Sequence, residues 1–192
     1  MTGVRAGLLW ETPTTFVRFV EDCGLSCDLV TPQLCAAPFF RGSYSVLIVP
    51  TGFANPAYSR TLVALRASRE RLRRYLEQGG TLVVFGAAID RPDAYDWLPF
   101  RLTYHHEHAP CRIEPVEPAL FDALFGDYDP ASIECDGWFD EAEADVVATA
   151  GDRPVAVAHR VGNGLVVATT IHEYPSRGFF SFLGRGRSDA VF

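Results

Sequence analysis

A strand-and-turn segment at residues 81–90, with the sequence TLVVFGAAID, carries the clearest chemical pattern in this chain. Its apolar residues predict a buried strand, and Gly86 then opens a turn. At such a turn from a strand towards a helix, hydrolytic α/β proteins hold a nucleophile on a strained backbone. Here the turn carries Ala87 and Ala88, whose methyl groups cannot attack a carbonyl carbon. The sequence therefore predicts the scaffold of a nucleophilic site that lacks its nucleophile.

A histidine and a glutamate, His172 and Glu173, follow the predicted strand at residues 164–170. An imidazole beside a carboxylate can serve as a general base and the group that orients it. The carboxyl ends of parallel strands lie along one edge of a sheet, where ligands bind. His172 and Glu173 are therefore candidate catalytic or ligand-binding residues. The alternative is a histidine that only hydrogen-bonds the backbone.

Residues after two other predicted strands are expected on the same edge. Trp10 and Glu11 end the first strand, and the segment PTGFAN at residues 50–55 follows the third. Backbone N–H groups in such a segment can hold an anion or a carbonyl oxygen, although a bare turn and a packing tryptophan fit the same residues. We predict a pocket for a small polar ligand, lined by Trp10, Glu11, Thr51, Gly52, Asn55, Ala88, His172 and Glu173.

The densest cluster of metal-capable side chains is the run from His105 to His108, with Cys111 close behind it. On an extended strand, His106 and His108 share one face. Two imidazoles with a remote carboxylate or thiolate would suit Zn²⁺. The spacing matches no known zinc motif, so a polar strand without a metal explains it equally. His106 and His108 are the predicted metal ligands, and no other cofactor is indicated.

Cys135, in the segment ECDGW at residues 134–138, is a further catalytic candidate. Its thiol could act as a displaced nucleophile if the fold brought it to His172, which would then serve as its base. The adjacent pair Asp136 and Gly137 is typical of a turn, and a turn is the simpler interpretation of this segment.

The order of the predicted elements indicates an α/β protein. Strands at residues 4–10, 26–30, 44–50 and 81–85 alternate with a helix capped by Thr12 and a second helix at 59–78. Such alternation implies a parallel sheet with helices on both faces. A short helix at 118–125 and strands at 146–150, 154–160 and 164–170 follow, the last two joined by a tight turn. We predict one domain at residues 1–183 and a flexible tail at 184–192.

The composition excludes several classes of function. All 17 basic residues are arginine, so a Schiff-base lysine and a P-loop lysine are both absent. The net charge of −7 makes nucleic acid and anionic membranes poor partners. No apolar run approaches the roughly 18 residues of a membrane span. Five cysteines without a CxxC pair favour a reduced, cytoplasmic protein.

Three stretches together resemble the class I glutamine amidotransferase-like superfamily, which includes ThuA-like proteins and non-catalytic domains of sugar hydrolases. They are YSVLIVPTGF (residues 44–53), LRRYLEQGGTLVVFG (72–86) and GNGLVVATTIHEYP (162–175). The resemblance implies a flavodoxin-like three-layer sandwich, with a mostly parallel sheet and an antiparallel C-terminal hairpin. It also implies that these stretches hold an oxyanion loop, a nucleophile elbow and a catalytic histidine.

The departures from that family decide the expected function. Ala88 stands at the family's cysteine position, Thr51 replaces a glycine of the oxyanion loop, and Glu173 follows His172 directly. Because glutamine hydrolysis needs a thiolate on the elbow, glutaminase activity is not expected. We predict a non-catalytic or repurposed domain that binds a small polar ligand, of either sugar-like or carboxylate character. The alternative is a hydrolase that uses Cys135 with His172, or a metal at the histidine cluster.

The sequence leaves the partner open. The sequence is compatible with a homo-oligomer and with a purely structural subunit that docks on a larger enzyme. If the chain docks on a larger enzyme, exposed aromatic side chains are expected, and Phe179, Phe180 and Phe182 are the candidates.

Overall fold

The computed structural model describes residues 4–140 and 142–192. In the first half, strands and helices alternate as predicted. The elements are β1 (Arg5–Leu9), α1 (Thr15–Asp22), β2 (Ser26–Val30), α2 (Pro32–Ala36), β3 (Ser43–Tyr44), β4 (Val46–Val49), α3 (Thr61–Glu77) and β5 (Thr81–Val84). The short elements α2 and β3 were not predicted, because neither is long enough to establish a periodic pattern.

The second half consists mainly of strands. Its elements are β6 (Thr103–Cys111), β7 (Ile113–Pro115), α4 (Pro118–Phe125), β8 (Ile133–Asp140), β9 (Asp145–Ala150), β10 (Arg153–Val161), β11 (Gly164–Thr169), α5 (Phe179–Gly184) and β12 (Ala190–Val191). The predictions of α4, β9, β10 and β11 are confirmed within one or two residues at each end. Over the residues that the structure describes, no helix combines the length and apolar character that crossing a membrane requires.

A single sheet organises the domain, and eight of the described strands belong to it in the order β2–β1–β4–β5–β11–β10–β9–β7. Five neighbouring strands run parallel to one another: β2, β1, β4, β5 and β11. The remaining strands, β10, β9 and β7, are each antiparallel to their neighbours. Val84 of β5 pairs with Val49 on one side and with Ala168 on the other. The strands β4, β5 and β11 therefore end side by side, at the edge where α/β proteins bind ligands.

Helices cover both faces of the sheet. Adjacent residues of β1 point to opposite faces, so Leu8 and Leu9 belong to different apolar cores. One core joins the sheet to α3 through Leu65, Leu72, Tyr75 and Leu76. The other joins it to α1, α4 and α5 through Phe16, Val20, Leu124, Phe179 and Phe180. The predicted α/β three-layer architecture, with a mostly parallel sheet and antiparallel C-terminal strands, is confirmed.

Helix α1 begins later than predicted. The side chain of Thr14 accepts a hydrogen bond from the N–H group of Phe16 and caps the helix. Thr12 and Pro13 lie before it and are exposed. The assignment of Thr12 as the cap was wrong, because three threonines in this segment offer the same capping hydroxyl and only the tertiary position of the helix selects among them.

Strands β6 and β8 form a separate antiparallel ribbon. His106 pairs with Gly137, the register then shifts, and Ala109 pairs with Cys135. The shift is a β-bulge that places an extra residue of β6 opposite Asp136. The predicted turn at residues 136–137 is wrong, since both residues lie inside β8.

The C-terminal segment that we predicted as a flexible tail is placed against the body of the domain. Strand β12 pairs with β3, and Phe192 is only 3% exposed. The ring of Phe192 lies edge-on to Tyr75, and the guanidinium carbon of Arg71 lies 4.5 Å from the ring centroid. The last residues thus contribute to one of the two apolar cores.

The three phenylalanines considered as a docking surface do not form one. Phe179 and Phe180 are completely buried on the inner side of α5, and only Phe182 is partly exposed, at 37%. The apolar pattern of this segment therefore anchors α5 to the sheet.

Candidate functional site

A small pocket opens at the carboxyl ends of the parallel strands. It has a volume of about 190 Å³ and is lined by Trp10, Thr14, Phe16, Pro50, Thr51, Phe85, His172, Glu173 and Tyr174. Segments that follow β1, β4, β5 and β11 all contribute, as the ends of neighbouring parallel strands must. Of the eight residues predicted to line a ligand pocket, four do so: Trp10, Thr51, His172 and Glu173.

The turn after β5 contains one strained residue, as a nucleophile elbow does, but the helix expected after it is absent from the described residues and the next element is β6. Ala88 has a φ of 52°, and no other non-glycine residue that the structure describes has a positive φ. This left-handed conformation costs an alanine of order 1 kcal/mol and persists only where surrounding structure enforces it. Asn55 supplies part of that enforcement, because its side-chain amide donates a hydrogen bond to the carbonyl oxygen of Ala88. The elbow therefore presents a methyl group where a reacting atom would stand.

The imidazole of His172 is oriented by Asp136. Its Nδ1 lies 3.1 Å from Oδ1 and 3.2 Å from Oδ2 of that carboxylate. Asp136 reaches this position from β8, and its side chain is only 5% exposed. We predicted Glu173 as the orienting carboxylate, and this was wrong. Glu173 points elsewhere, with Oε1 accepting a hydrogen bond from the N–H group of Glu134.

A second histidine converges on the same carboxylate. Nδ1 of His108 lies 3.3 Å from Oδ1 of Asp136, and its ring centroid is 4.9 Å from that of His172. The ligand atoms of these three side chains all lie within 4.8 Å of one another, a separation that allows them to share one metal ion. His108, one of the two predicted metal ligands, therefore lies in a group whose spacing would allow a shared ion.

His106 does not join that group. Its Nδ1 lies 2.8 Å from the backbone carbonyl oxygen of Asp136. The predicted pairing of His106 with His108 assumed an unbroken alternation along β6, and the bulge between His106 and Ala109 interrupts that alternation. His105, the preceding imidazole along the strand, stacks on Trp138 instead, with ring centroids 4.0 Å apart.

Cys135 does not have the environment of a nucleophile. It is 1% exposed, and burial raises the pKa of its thiol to about 12, with Cys111 adding to the effect. Strand alternation sends Cys135 into the apolar core on the side opposite its neighbour Asp136. A thiol with this pKa stays protonated near neutral pH, and the acceptor of the His172 imidazole is Asp136. The predicted Cys135–His172 pair is therefore not formed.

Three other predicted ligand-binding residues, Glu11, Gly52 and Asn55, form hydrogen bonds that hold the loops around the site in place. Oε1 of Glu11 accepts a hydrogen bond from the N–H group of Arg60, at the start of α3. Gly52, at a φ of 87°, donates its own N–H to the carbonyl oxygen of Gly86. That N–H is consequently occupied and does not serve as an anion-binding group. The side-chain amide of Asn55 donates its hydrogen bond to the carbonyl oxygen of Ala88, as described above.

Glu173, which lines the pocket, carries an acceptor oxygen that is unused. Its Oε2 is buried and has no hydrogen-bond partner among the described residues. An unpaired buried carboxylate oxygen is costly, by roughly 1–3 kcal/mol or more. A donor group on a bound molecule would remove that cost.

A larger cavity of about 380 Å³ lies at the opposite edge of the sheet, near the end of β10 and the start of β11. Its lining includes His159, Arg160, Arg185 and Arg187, together with apolar side chains of α4 and α5. The smaller pocket is the better functional candidate, because it adjoins the elbow and the Asp136–His172 pair and lies where parallel sheets bind ligands.

Asp136 is the functional residue that sequence reasoning missed. The run IECDGWFD at residues 133–140 does alternate, since Ile133 and Cys135 face the core while Glu134 and Asp136 alternate with them. That alternation was the available signal for a strand. The prediction gave more weight to the turn preference of the Asp-Gly pair than to this alternation. In the structure, Gly137 lies within β8 at a φ of 149°.

Similarity to known proteins appears at the level of structure. No family model and no curated protein matches the sequence. The fold is similar to that of a protein from Thermoplasma acidophilum described as a GMP synthase component, with a TM-score of 0.63 and 11% identity over 95% of this chain and 93% of that one. A cytoplasmic protein from Salmonella typhimurium LT2 matches with a TM-score of 0.54 and 13% identity over 95% and 94% of the two chains.

The fold also occurs as part of larger enzymes. In a β-galactosidase from the Antarctic haloarchaeon Halorubrum lacusprofundi, the match covers 93% of this chain but 29% of the enzyme, with a TM-score of 0.58 and 17% identity. These identities establish a shared fold. The chain has the class I glutamine amidotransferase-like fold that its sequence motifs led us to expect.

Proposed function

We propose that this chain is a non-catalytic domain of class I glutamine amidotransferase-like fold that binds a small, hydroxyl-bearing molecule at the strand ends. The observation that carries the proposal is the conformation of Ala88. Its φ of 52° gives the strained turn found in an elbow, yet the side chain has no reacting atom. A scaffold that keeps its strained turn and its pocket but lacks a nucleophile is suited to binding.

The lining of the pocket indicates the chemistry of the ligand. Trp10, Phe16, Phe85 and Tyr174 supply aromatic surface, and His172, Glu173 and two threonines supply polar groups. Aromatic faces beside a few fixed polar groups are typical of small-molecule sites. The aromatic surface is itself held in place, because Tyr174 stacks on Phe16 with ring centroids 4.8 Å apart.

Glu173 favours a neutral ligand over an anion. A carboxylate accepts hydrogen bonds from hydroxyl groups, whereas it repels another carboxylate in a partly dehydrated site. Because Oε2 of Glu173 is buried and has no partner in the described structure, a hydroxyl group of the ligand would complete its hydrogen bonding once the side chain turned into the pocket. Of the sugar-like and carboxylate ligands expected from the sequence, we therefore favour a sugar-like polyol. The volume of about 190 Å³ limits it to a small molecule, such as a monosaccharide.

A thermal-shift screen of monosaccharides, polyols and small carboxylates tests this proposal. A ligand that binds only the folded protein raises the melting temperature, by an amount that grows with its concentration. We expect stabilisation by a member of the hydroxyl-bearing set, and its loss in Glu173→Gln and His172→Ala. The matched control is His159→Gln, which alters the larger cavity at the other edge. Stabilisation by carboxylates alone, or an equal loss in the control, would contradict the proposal.

We also propose a cytoplasmic location. The five cysteines are all free. Free thiols suit a reducing compartment.

A further inference from the structure

Two imidazoles and one carboxylate meet beside the pocket, with their ligand atoms within 4.8 Å of one another. Nδ1 of His172 lies 3.1 Å from Oδ1 of Asp136, and Nδ1 of His108 lies 3.3 Å from the same oxygen. Three separate segments supply them: His108 comes from β6, Asp136 from β8, and His172 from the segment after β11. Such convergence needs the whole fold.

Two of the three separations match those of ligands around one ion. Zinc binds nitrogen and oxygen ligands at about 2.0–2.2 Å, so two neighbouring ligands in a tetrahedron lie about 3.4 Å apart. The measured distances of 3.1 and 3.3 Å agree with that value. The remaining separation, between the two histidines, is at most 4.8 Å. Both imidazole side chains are about half exposed, at 48% and 50%, and can rotate to close it.

The backbone around Asp136 is fixed before any ion arrives. Its N–H group donates to the carbonyl oxygen of Thr170, and its own carbonyl oxygen accepts from the hydroxyl of Tyr104. The N–H group of His172 donates in turn to the carbonyl oxygen of Glu134. The ends of β8 and β11 are thus tied together at the ligand positions.

The charge of Asp136 also points to a cation. Its side chain is 5% exposed, and its ion-pair partners within residues 4–140 and 142–192 are His108 and His172. A buried carboxylate needs positive charge or several hydrogen bonds to offset its lost hydration. A divalent ion would supply that charge and leave both imidazoles neutral, which is the form that binds metal.

Glu134 provides an outer partner for one ligand. Its Oε2 lies 3.7 Å from Nε2 of His108. Histidine ligands commonly donate the second ring N–H to a carboxylate, which fixes the tautomer and leaves the other nitrogen to bind the metal. At 3.7 Å the two atoms are too far apart for a hydrogen bond, so Glu134 would take this role only after a small rotation of the exposed His108 side chain.

We infer that His108, Asp136 and His172 form a binding site for one divalent first-row transition-metal ion of the Zn²⁺ type. Two imidazoles with one carboxylate suit zinc and its neighbours in the series, whereas Ca²⁺ and Mg²⁺ prefer oxygen ligands. Three protein ligands leave at least one coordination position open. This site goes beyond the proposed binding of a polyol, and it stands or fails independently of that ligand.

Equilibrium dialysis of the metal-stripped protein against ZnCl₂, followed by elemental analysis, tests the inference. We expect one bound Zn²⁺ per chain. Removing a ligand in His108→Ala or Asp136→Asn should weaken binding by more than about tenfold, since even outer partners are worth 10–100-fold. The control His159→Gln removes an imidazole outside the group and should bind as the wild type does. Because His108 is half exposed, His108→Ala should keep the fold, which circular dichroism verifies.

Cobalt(II) distinguishes this site from the five cysteines. With Co²⁺ bound at His108, Asp136 and His172, the visible spectrum should show d–d bands without thiolate-to-metal charge transfer. The inference is overturned by substoichiometric zinc, by zinc binding that survives in both His108→Ala and His172→Ala, or by a thiolate charge-transfer band. None of these readouts depends on a polyol ligand, so a failed ligand screen leaves the metal result interpretable.

Discussion

Gly86 packs directly against Asp136. Glycine has no Cβ atom, and one added at this position would lie 2.9 Å from the Cβ of Asp136. The first glycine of the elbow therefore makes room for the carboxylate that orients His172. A methyl group at this position must displace Asp136, because real Cβ atoms do not approach so closely.

This contact predicts the effect of Gly86→Ala. We expect a loss of about 1–3 kcal/mol in the free energy of unfolding, as for other overpacked sites, together with weaker zinc binding. Denaturant unfolding and equilibrium dialysis measure the two effects. Gly178→Ala is the control, since a Cβ at position 178 meets no atom within 4 Å. Wild-type stability in Gly86→Ala would show that Asp136 is less constrained than its contacts indicate.

The strained elbow predicts a stabilising substitution. Glycine adopts positive φ without steric cost, so Ala88→Gly should remove the strain at 52° and raise the free energy of unfolding by up to about 1 kcal/mol. For a chain of this size, that corresponds to a rise of about 2–4 °C in melting temperature. The neighbouring Ala87→Gly, whose φ is not positive, should destabilise instead. Equal destabilisation by both changes would count against enforced strain at Ala88.

Thiol labelling tests the environment of Cys135. Its pKa is raised to about 12, so the thiolate fraction is negligible at pH 7 and rises only in strongly alkaline solution. We expect iodoacetamide to leave Cys135 unmodified in the native protein between about pH 7 and pH 9. Peptide mapping by mass spectrometry should find the half-buried Cys111 modified earlier. Rapid labelling of Cys135 that slows in His172→Ala would support the catalytic pairing of Cys135 with His172 and contradict this prediction.

The absence of a thiol on the elbow predicts that the protein releases no ammonia from glutamine. Ala88 has no nucleophilic atom, and the nearby His172 has only Asp136 as a partner for its Nδ1 among the described residues. A coupled assay for ammonia measures this directly. Activity in the wild type that disappears in His172→Ala would refute the non-catalytic interpretation.

The packing of the C-terminal residues predicts how much stability is lost when the side chain of Phe192 is shortened. Phe192→Ala removes a ring that is 3% exposed and should lower the free energy of unfolding by about 3 kcal/mol. Val191→Ala, at a neighbouring residue that is 43% exposed, should change it by less than about 0.5 kcal/mol. Thermal and denaturant unfolding compare the two variants. Similar values for both would indicate that the tail contributes little to the core.

The sequence predicted the sheet well because apolar runs such as residues 46–49 and 81–84 are buried on both faces and carry a strong, local signal. It also predicted that Thr51 and His172 would share a pocket, since parallel strands end together. Ala88 was identified through the resemblance, which places it at the cysteine position of the family's elbow, and its positive φ agrees with that position.

The sequence did not reveal how distant segments complete the site. Asp136 meets His172 only because β8 lies against the end of β11, a contact between residues 36 positions apart. Glu173 seemed the natural partner of His172 because the two are adjacent, yet adjacent residues at a strand end point in different directions. The pairing of the C-terminal segment was not predicted for a related reason: two short strands pair across most of the chain and leave no local pattern.

Because of the β-bulge in β6, the metal-capable group depends on the number of residues between His106 and Ala109 as well as on their types. Deleting one residue between His106 and Ala109 would restore regular pairing and move the intervening side chains to other faces of the ribbon. A relative with two histidines in this region but one residue fewer would then lack the cluster, although a comparison of residue types alone would count the histidines as retained. The position of gaps in this segment is therefore the feature by which related sequences should be sorted.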